Sequence, residues 1–143
     1  MKVLAVSISE RKGIKKHPVE YIELIEDYGI DGDAHAGKWH RQVSLLGVES
    51  MEAMKEKLPT LSAGDFAENI LTEGIVLYKL PIGTVLKVGD CILEVTQIGK
   101  ECHLGCEIRH IVGDCVMPRE GIFTKVIKGG KIKADDKIEI VEK

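Results

Sequence analysis

Aromatic residues are scarce in this chain. Two Phe, one Trp and three Tyr make up 4% of its 143 residues, so a core must be filled by Val, Ile and Leu rather than by rings. Long apolar runs are missing as well. None approaches the about 20 residues that cross a bilayer. The apolar stretch 3–8 is too short for the hydrophobic region of a secretory signal and runs at once into Glu10, Arg11 and Lys12. From these absences we expect a cytoplasmic protein with no membrane partner. Neither sign of charge dominates. Twenty Lys and Arg against 23 Asp and Glu leave a formal net charge of −3, which argues against nucleic acid as a partner, because its binders are usually basic. A local basic pocket for a small anion remains compatible with that balance. No repeat, low-complexity tract or linker divides the sequence, and its length suits one domain over residues 1–143.

What is present is a series of short β-type segments. Hydrophobic residues reach 44%, enough for a buried core. The segments 3–8, 42–46, 68–71, 84–88, 92–98, 122–127 and 137–141 are rich in β-branched and aliphatic residues, and 92–98 and 137–141 nearly alternate. Residues 19–25 fit strand and helix spacing about equally, and we read a short strand. Residues 9–18 are polar and basic and read as a loop. Gly64-Asp65, Gly89-Asp90, Gly113-Asp114 and Gly129-Gly130 mark turns. The clearest helix is 49–58, with Met51, Met54 and Leu58 at helical spacing and Pro59 as its stop. The expectation is a mainly β fold with minor α: a small barrel or sandwich with one clear helix.

Three stretches hold the residues able to do chemistry. The first is Gly99-Lys100-Glu101-Cys102-His103-Leu104-Gly105-Cys106-Glu107-Ile108-Arg109-His110, followed by Cys115 and Arg119. It contains three of the four cysteines. Lys100, Arg109 and Arg119 place positive charge nearby, which favours the thiolate, the form that attacks and binds metal. In a reducing compartment such spacing favours metal, redox or catalytic roles over disulfides. Zinc held by Cys102, Cys106, Cys115 and a histidine is one reading, although a second close pair of cysteines is missing. Cys91, in a predicted strand, reads as a small buried hydrophobe, and Cys115 is open to either reading. The second stretch is the glycine-rich loop 29–41. Gly32, Gly37 and Arg41 can offer backbone N–H groups and a guanidinium to an anion. Asp33 reads as a turn residue, His40 as a solvated loop residue, and Trp39 as a cover for a pocket or for the core's edge. The third is 64–74, where Asn69 and Thr72 can meet a polar ligand or serve a turn.

In this order the stretches resemble the MOSC family, the C-terminal domain of molybdenum cofactor sulfurase. The resemblance is carried by Gly29-Ile30-Asp31-Gly32-Asp33-Ala34-His35-Ala36-Gly37, Arg41-Gln42-Val43-Ser44-Leu45-Leu46, Gly64-Asp65-Phe66-Ala67-Glu68-Asn69-Ile70, Leu80-Pro81-Ile82-Gly83 and Gln97-Ile98-Gly99-Lys100-Glu101-Cys102-His103. Gly113-Asp114-Cys115-Val116-Met117-Pro118-Arg119-Glu120-Gly121 is similar to the short, free-standing bacterial branch. The resemblance implies a MOSC-type β-barrel that binds the molybdenum cofactor, a molybdopterin carrying molybdenum and a phosphate. It implies Cys106 as molybdenum ligand or sulfur carrier, since Cys106-Glu107-Ile108 matches the family's cysteine context, with Cys102 as the second catalytic thiol. His35, Arg41, Asn69, Thr72, Gln97 and Lys100 are the expected cofactor-binding residues. The chain has no pyridoxal-phosphate lysine motif and no room for a desulfurase, so no pyridoxal phosphate is expected here. Sulfur would come from a separate cysteine desulfurase and pass to a molybdoenzyme. The expected function is sulfur carriage or delivery in cofactor maturation. The alternatives are molybdenum-dependent reduction of N-hydroxylated compounds and a zinc protein using the same cysteines, so enzymatic activity stays open between sulfur transfer and reduction.

Overall fold

The computed structural model describes residues 1–10, 16–34, 36–52, 68–99 and 121–142. Two sheets account for nearly all of their regular structure. The larger has eight strands in the order β11-β7-β8-β9-β5-β6-β1-β2: β1 (Lys2–Ile8), β2 (His17–Val19), β5 (Val43–Gly47), β6 (Ile70–Glu73), β7 (Val85–Val88), β8 (Cys91–Ile98), β9 (Ile122–Lys128) and β11 (Ile138–Glu142). The smaller, in the order β10-β3-β4, contains β3 (Tyr21–Ile25), β4 (Gly29–Ile30) and β10 (Gly130–Lys133). A short helix α1 (Val48–Glu52) follows β5, and a 3-10 turn occupies Leu77–Lys79. The fold is mainly β with minor α, as the sequence implies.

Closure into a barrel does not follow. The large sheet runs open, with β2 and β11 at its edges. One isolated bridge, Lys2↔Lys137, joins β1 to the residue before β11. Backbone bonds support it, from Val3 N to Asp136 O at 2.8 Å and from Asp135 N to Val3 O at 2.7 Å. Two further differences have local causes. His17–Val19 pairs with β1 inside the stretch read as a loop, because backbone pairing at an edge tolerates a polar, Pro-containing segment. Gly130 opens β10 rather than ending a turn. The helix is described over Val48–Glu52, and residues 53–58 of the expected helix lie outside the described residues, as do the turns at 64–65 and 113–114.

The core follows the composition. Its cluster includes Val3, Val6, Ile30, Val43, Leu45, Ile70, Leu86, Leu93, Ile122 and Ile132, all aliphatic. Side chains of β3 alternate between exposed and buried, and those of β8 between buried and half-buried over most of its length, as expected for strands with one face on the core. β5 is buried at every position and makes the one parallel pairing among the described strands, with β6. On its other side β9 runs antiparallel, with Ser44 opposite Phe123 and Leu45 opposite Ile122. β8 then pairs with β9, with Gln97 opposite Phe123 and Ile98 opposite Ile122. This register sets the loop before β5 beside the end of β8.

Candidate functional site

Gln97 is the centre of the site. Its Nε2 donates to the Gly99 carbonyl at 2.7 Å, and its Oε1 accepts from Arg41 Nε at 3.0 Å. A carbonyl only accepts and a guanidinium only donates, so the orientation of this carboxamide is fixed by chemistry. His40 Nε2 lies 2.8 Å from the same Oε1. It must therefore carry a hydrogen, which leaves Nδ1 as the acceptor of the neutral ring. Thr96 adds a second tie between the same segments. Its hydroxyl donates to the His40 carbonyl and lies 3.1 Å from the Phe123 carbonyl.

Arg41 is thus held by one edge and one face. Its Nε is used by Gln97, and its guanidinium carbon lies 5.2 Å from the centre of the Phe123 ring. Phe123 is 3% exposed, so the cation rests on a fixed aromatic face. The Nη edge has no partner among the described residues. A guanidinium with a fixed plane and a free edge suits bidentate binding of a phosphate or other oxyanion. Trp39 meets the His40 ring edge-on, with centroids 5.9 Å apart and planes at 68°.

The glycine-rich loop is rooted from below by a buried ion pair. Lys16 Nζ lies 2.8 Å from Asp33 Oδ1, and both side chains are fully buried. Lys16 also donates to Ser9 Oγ at 3.2 Å, and Ser9 N donates to Asp33 Oδ1 at 3.1 Å. Ala34 N bonds to Ser9 O at 2.8 Å and Gly37 N to Tyr28 O at 2.6 Å. Asp33 therefore accepts from Lys16 and Ser9 across the fold, beyond the turn role read from sequence.

Asn69 and Thr72 are placed deeper. Asn69 is 1% exposed, and its Oδ1 accepts from Ser44 N at 3.0 Å and Ser44 Oγ at 3.1 Å. Its Nδ2 donates to Ser7 O at 3.1 Å. The carboxamide thus ties β1, β5 and β6 together, and one Nδ2 hydrogen has no acceptor among the described residues. Asn69 connects to the Arg41 corner through Ser44, which pairs with Phe123 under the guanidinium. Thr72 is fully buried on β6, and its Oγ1 has no hydrogen-bond partner among the described residues.

His35, Lys100, Cys102 and Cys106 lie outside the described residues, as does Cys115. The two ends of the thiol stretch are described: Gly99 N donates to Gly121 O at 2.7 Å. Cys91 is fully buried in β8. Desolvation, followed by the nearby carboxylates of Asp90 and Asp136, pushes its thiol from 9.0 up to about 11, which makes it an inert packing residue. No group of three metal-ligating side chains occurs among the described residues. Sequence reasoning set aside His40 and passed over Lys16. His40 stands next to Arg41 in sequence, a signal that was available. Nothing local marks Lys16, whose partners are 7 and 17 residues away.

The MOSC domain model matches residues 32–139, a span that contains Arg41, Gln97 and both candidate thiols. The chain belongs to the MOSC domain family. Solved structures agree on the fold. The YuaD protein of Bacillus subtilis superposes with a TM-score of 0.79 at 18% identity, covering 96% of this chain and 93% of that one. YiiM of Geobacillus stearothermophilus gives 0.75 at 18% identity, covering 99% and 75%. YiiM of Escherichia coli gives 0.70 at 19% identity, covering 100% and 71%. No curated protein matches the sequence. Family membership is consistent with a role related to the molybdenum cofactor. No described helix is long and apolar enough to cross a membrane.

Proposed function

We propose that this MOSC domain binds the molybdenum cofactor and carries sulfur to it on a cysteine of the Gly99–Gly121 stretch, with Cys106 as the carrier and Cys102 as the resolving thiol. One observation carries the reading: Gln97 holds Arg41 and, with its other end, the carbonyl of Gly99 where the thiol stretch begins. An anion anchored at Arg41 and a thiol a few residues beyond Gly99 would then share one corner. The donors there fit the cofactor's phosphate. Arg41 offers its free edge, and His40 and the glycine loop stand beside it. His35 and Lys100 are further donors for the same group in this reading, with the last hydrogen of Asn69 and the hydroxyl of Thr72 as inner contributions. The bound cofactor would supply molybdenum and its dithiolene sulfurs. The chain would supply a soft thiolate able to hold a persulfide, loaded by a separate desulfurase.

Two serine variants test this. Cys106→Ser replaces the soft thiolate with a hydroxyl, so persulfide loading and cofactor retention should be lost while the melting temperature is kept. Cys102→Ser should load and retain, with slower release. A Cys106→Ser protein that still loads sulfur and binds cofactor would overturn the assignment. Zinc bound by the wild type and lost from both variants, with lowered stability, would instead assign the cysteines to a structural metal site. Arg41→Ala should weaken cofactor binding by roughly 1.5–3 kcal/mol, the contribution of a shielded charge-assisted contact. Lys2→Ala, which removes an exposed cation 3.8 Å from Asp135, should leave affinity unchanged. Equal loss in both variants would remove Arg41 from the site.

A further inference from the structure

A cavity of about 330 Å³ opens where β5 passes into α1, and among the described residues it shares no lining residue with the Gln97 corner. Its walls include Gly47, Glu49, Ile75, Val76, Leu77 and Tyr78. Ile75 and Leu77 are 7% and 1% exposed, while Val76 and Tyr78 are 50% and 37% exposed. The cavity thus has an apolar floor and an accessible rim. Among its described wall residues Glu49 carries the only charge, and none is Lys or Arg.

The carboxylate belongs to an exposed side chain and is tied through one of its oxygens. Glu49 Oε2 accepts from Gly74 N at 3.0 Å. A Cβ at Gly47 would stand 3.1 Å from Glu49 Oε1, 3.6 Å from the Ile75 carbonyl oxygen and 3.9 Å from Thr72 Oγ1. Glycine at 47 therefore keeps open a face flanked by a carboxylate and a carbonyl, with the Thr72 hydroxyl, unpartnered among the described residues, on the same side. Carboxylate and carbonyl accept hydrogen bonds and never donate them. Acceptors at one end, an aromatic ring at the rim and aliphatic walls between them are complementary to a cation with an apolar body. The volume is at the small end for ligand sites, enough for a single ring with a short arm.

We propose that this cavity binds a small organic cation, a protonated primary amine on a compact apolar body, with the ammonium at Glu49 and the body over Ile75 and Leu77. The proposal is independent of the cofactor reading, and its test needs no cofactor. The full chain is titrated with 2-phenylethylamine and, separately, with 3-phenylpropionate, an anion of similar size, while backbone amides are followed by NMR. The amine should give saturable shifts at Gly47, Gly74 and Tyr78, and the anion none. Glu49→Gln keeps an acceptor for Gly74 N but removes the charge, and it should raise the amine's Kd about tenfold or more. Absence of saturable shifts up to about 10 mM amine, equal binding of the anion, or an unchanged Kd in Glu49→Gln would overturn the proposal. If Glu49→Gln unfolds the domain, the wild-type comparison of amine with anion decides alone.

Discussion

Lys16 and Asp33 form a contact of 2.8 Å with both side chains at zero exposure. The exposed pair Lys2–Asp135, at 3.8 Å with 45% and 86% exposure, contributes at most about 1 kcal/mol. Breaking the buried pair has a different scale, since it strands a charge in the interior. Lys16→Met or Asp33→Asn should each lower unfolding free energy by about 3–5 kcal/mol, and removing both charges together should do less harm than the two losses summed. Urea denaturation of the three variants measures this. Cys91 makes a pH prediction. Its folded value of about 11 lies above the ordinary thiol value of 9.0, so its contribution is full below pH 9 and is lost as pH rises to about 11. The loss is on the order of 2 kcal/mol. The steeper fall of wild-type stability over that window, relative to Cys91→Ala, measures it. Burial of Cys91 was legible from its place in an alternating strand. The Lys16 pair was not, because a charge in a polar loop looks the same whether its partner is water or a carboxylate brought in by the fold.

At the scale of elements, strands with an apolar period were legible and strands defined by backbone pairing were not. β8 and β9 announce themselves through β-branched and aliphatic residues. β2, β4 and β10 contain Pro or Gly and owe their form to neighbours already in place. Gly129 shows why. A Cβ there would lie 2.2 Å from the Leu24 carbonyl oxygen, so what reads as a turn signal is a point of backbone contact between β9, β10 and β3. Gly129→Ala should destabilise the protein by about 3 kcal/mol, in the upper range for overpacking, with loss of hydrogen-exchange protection concentrated in β3 and β10. The Gln97 clamp acts at the same scale. Gln97→Leu keeps much of the volume of the side chain but frees both Arg41 and Gly99, and it should weaken inorganic phosphate binding at the corner about as much as Arg41→Ala does. Unchanged phosphate affinity in Gln97→Leu would mean that Arg41 needs no clamp.

At the scale of the molecule, identities of 18–19% accompany TM-scores of 0.70–0.79, so the architecture survives replacement of most side chains. The order of the three chemical stretches made the family legible, and the register of β5, β9 and β8 brings two of them to one corner. Neither Asn69's internal role nor the open order of the large sheet could be read from the sequence, since both depend on contacts between distant segments. That open order puts β2 and β11 at the two ends of the sheet, and β11 is met on its outer side by Met1, whose carbonyl accepts from Ile138 N at 3.1 Å. Pro18 lies in the middle of β2 opposite Ser7 and has no N–H, so the row of donors that an incoming strand would need is interrupted. At the other end, the bridge between Lys2 and Lys137 occupies the start of the β11 margin. The two ends are therefore guarded against lateral growth in different ways, one by a missing donor and the other by a strand of the same sheet. Pro18→Val should restore the missing donor, and light scattering of concentrated samples should then show faster fibrillar aggregation than in the wild type.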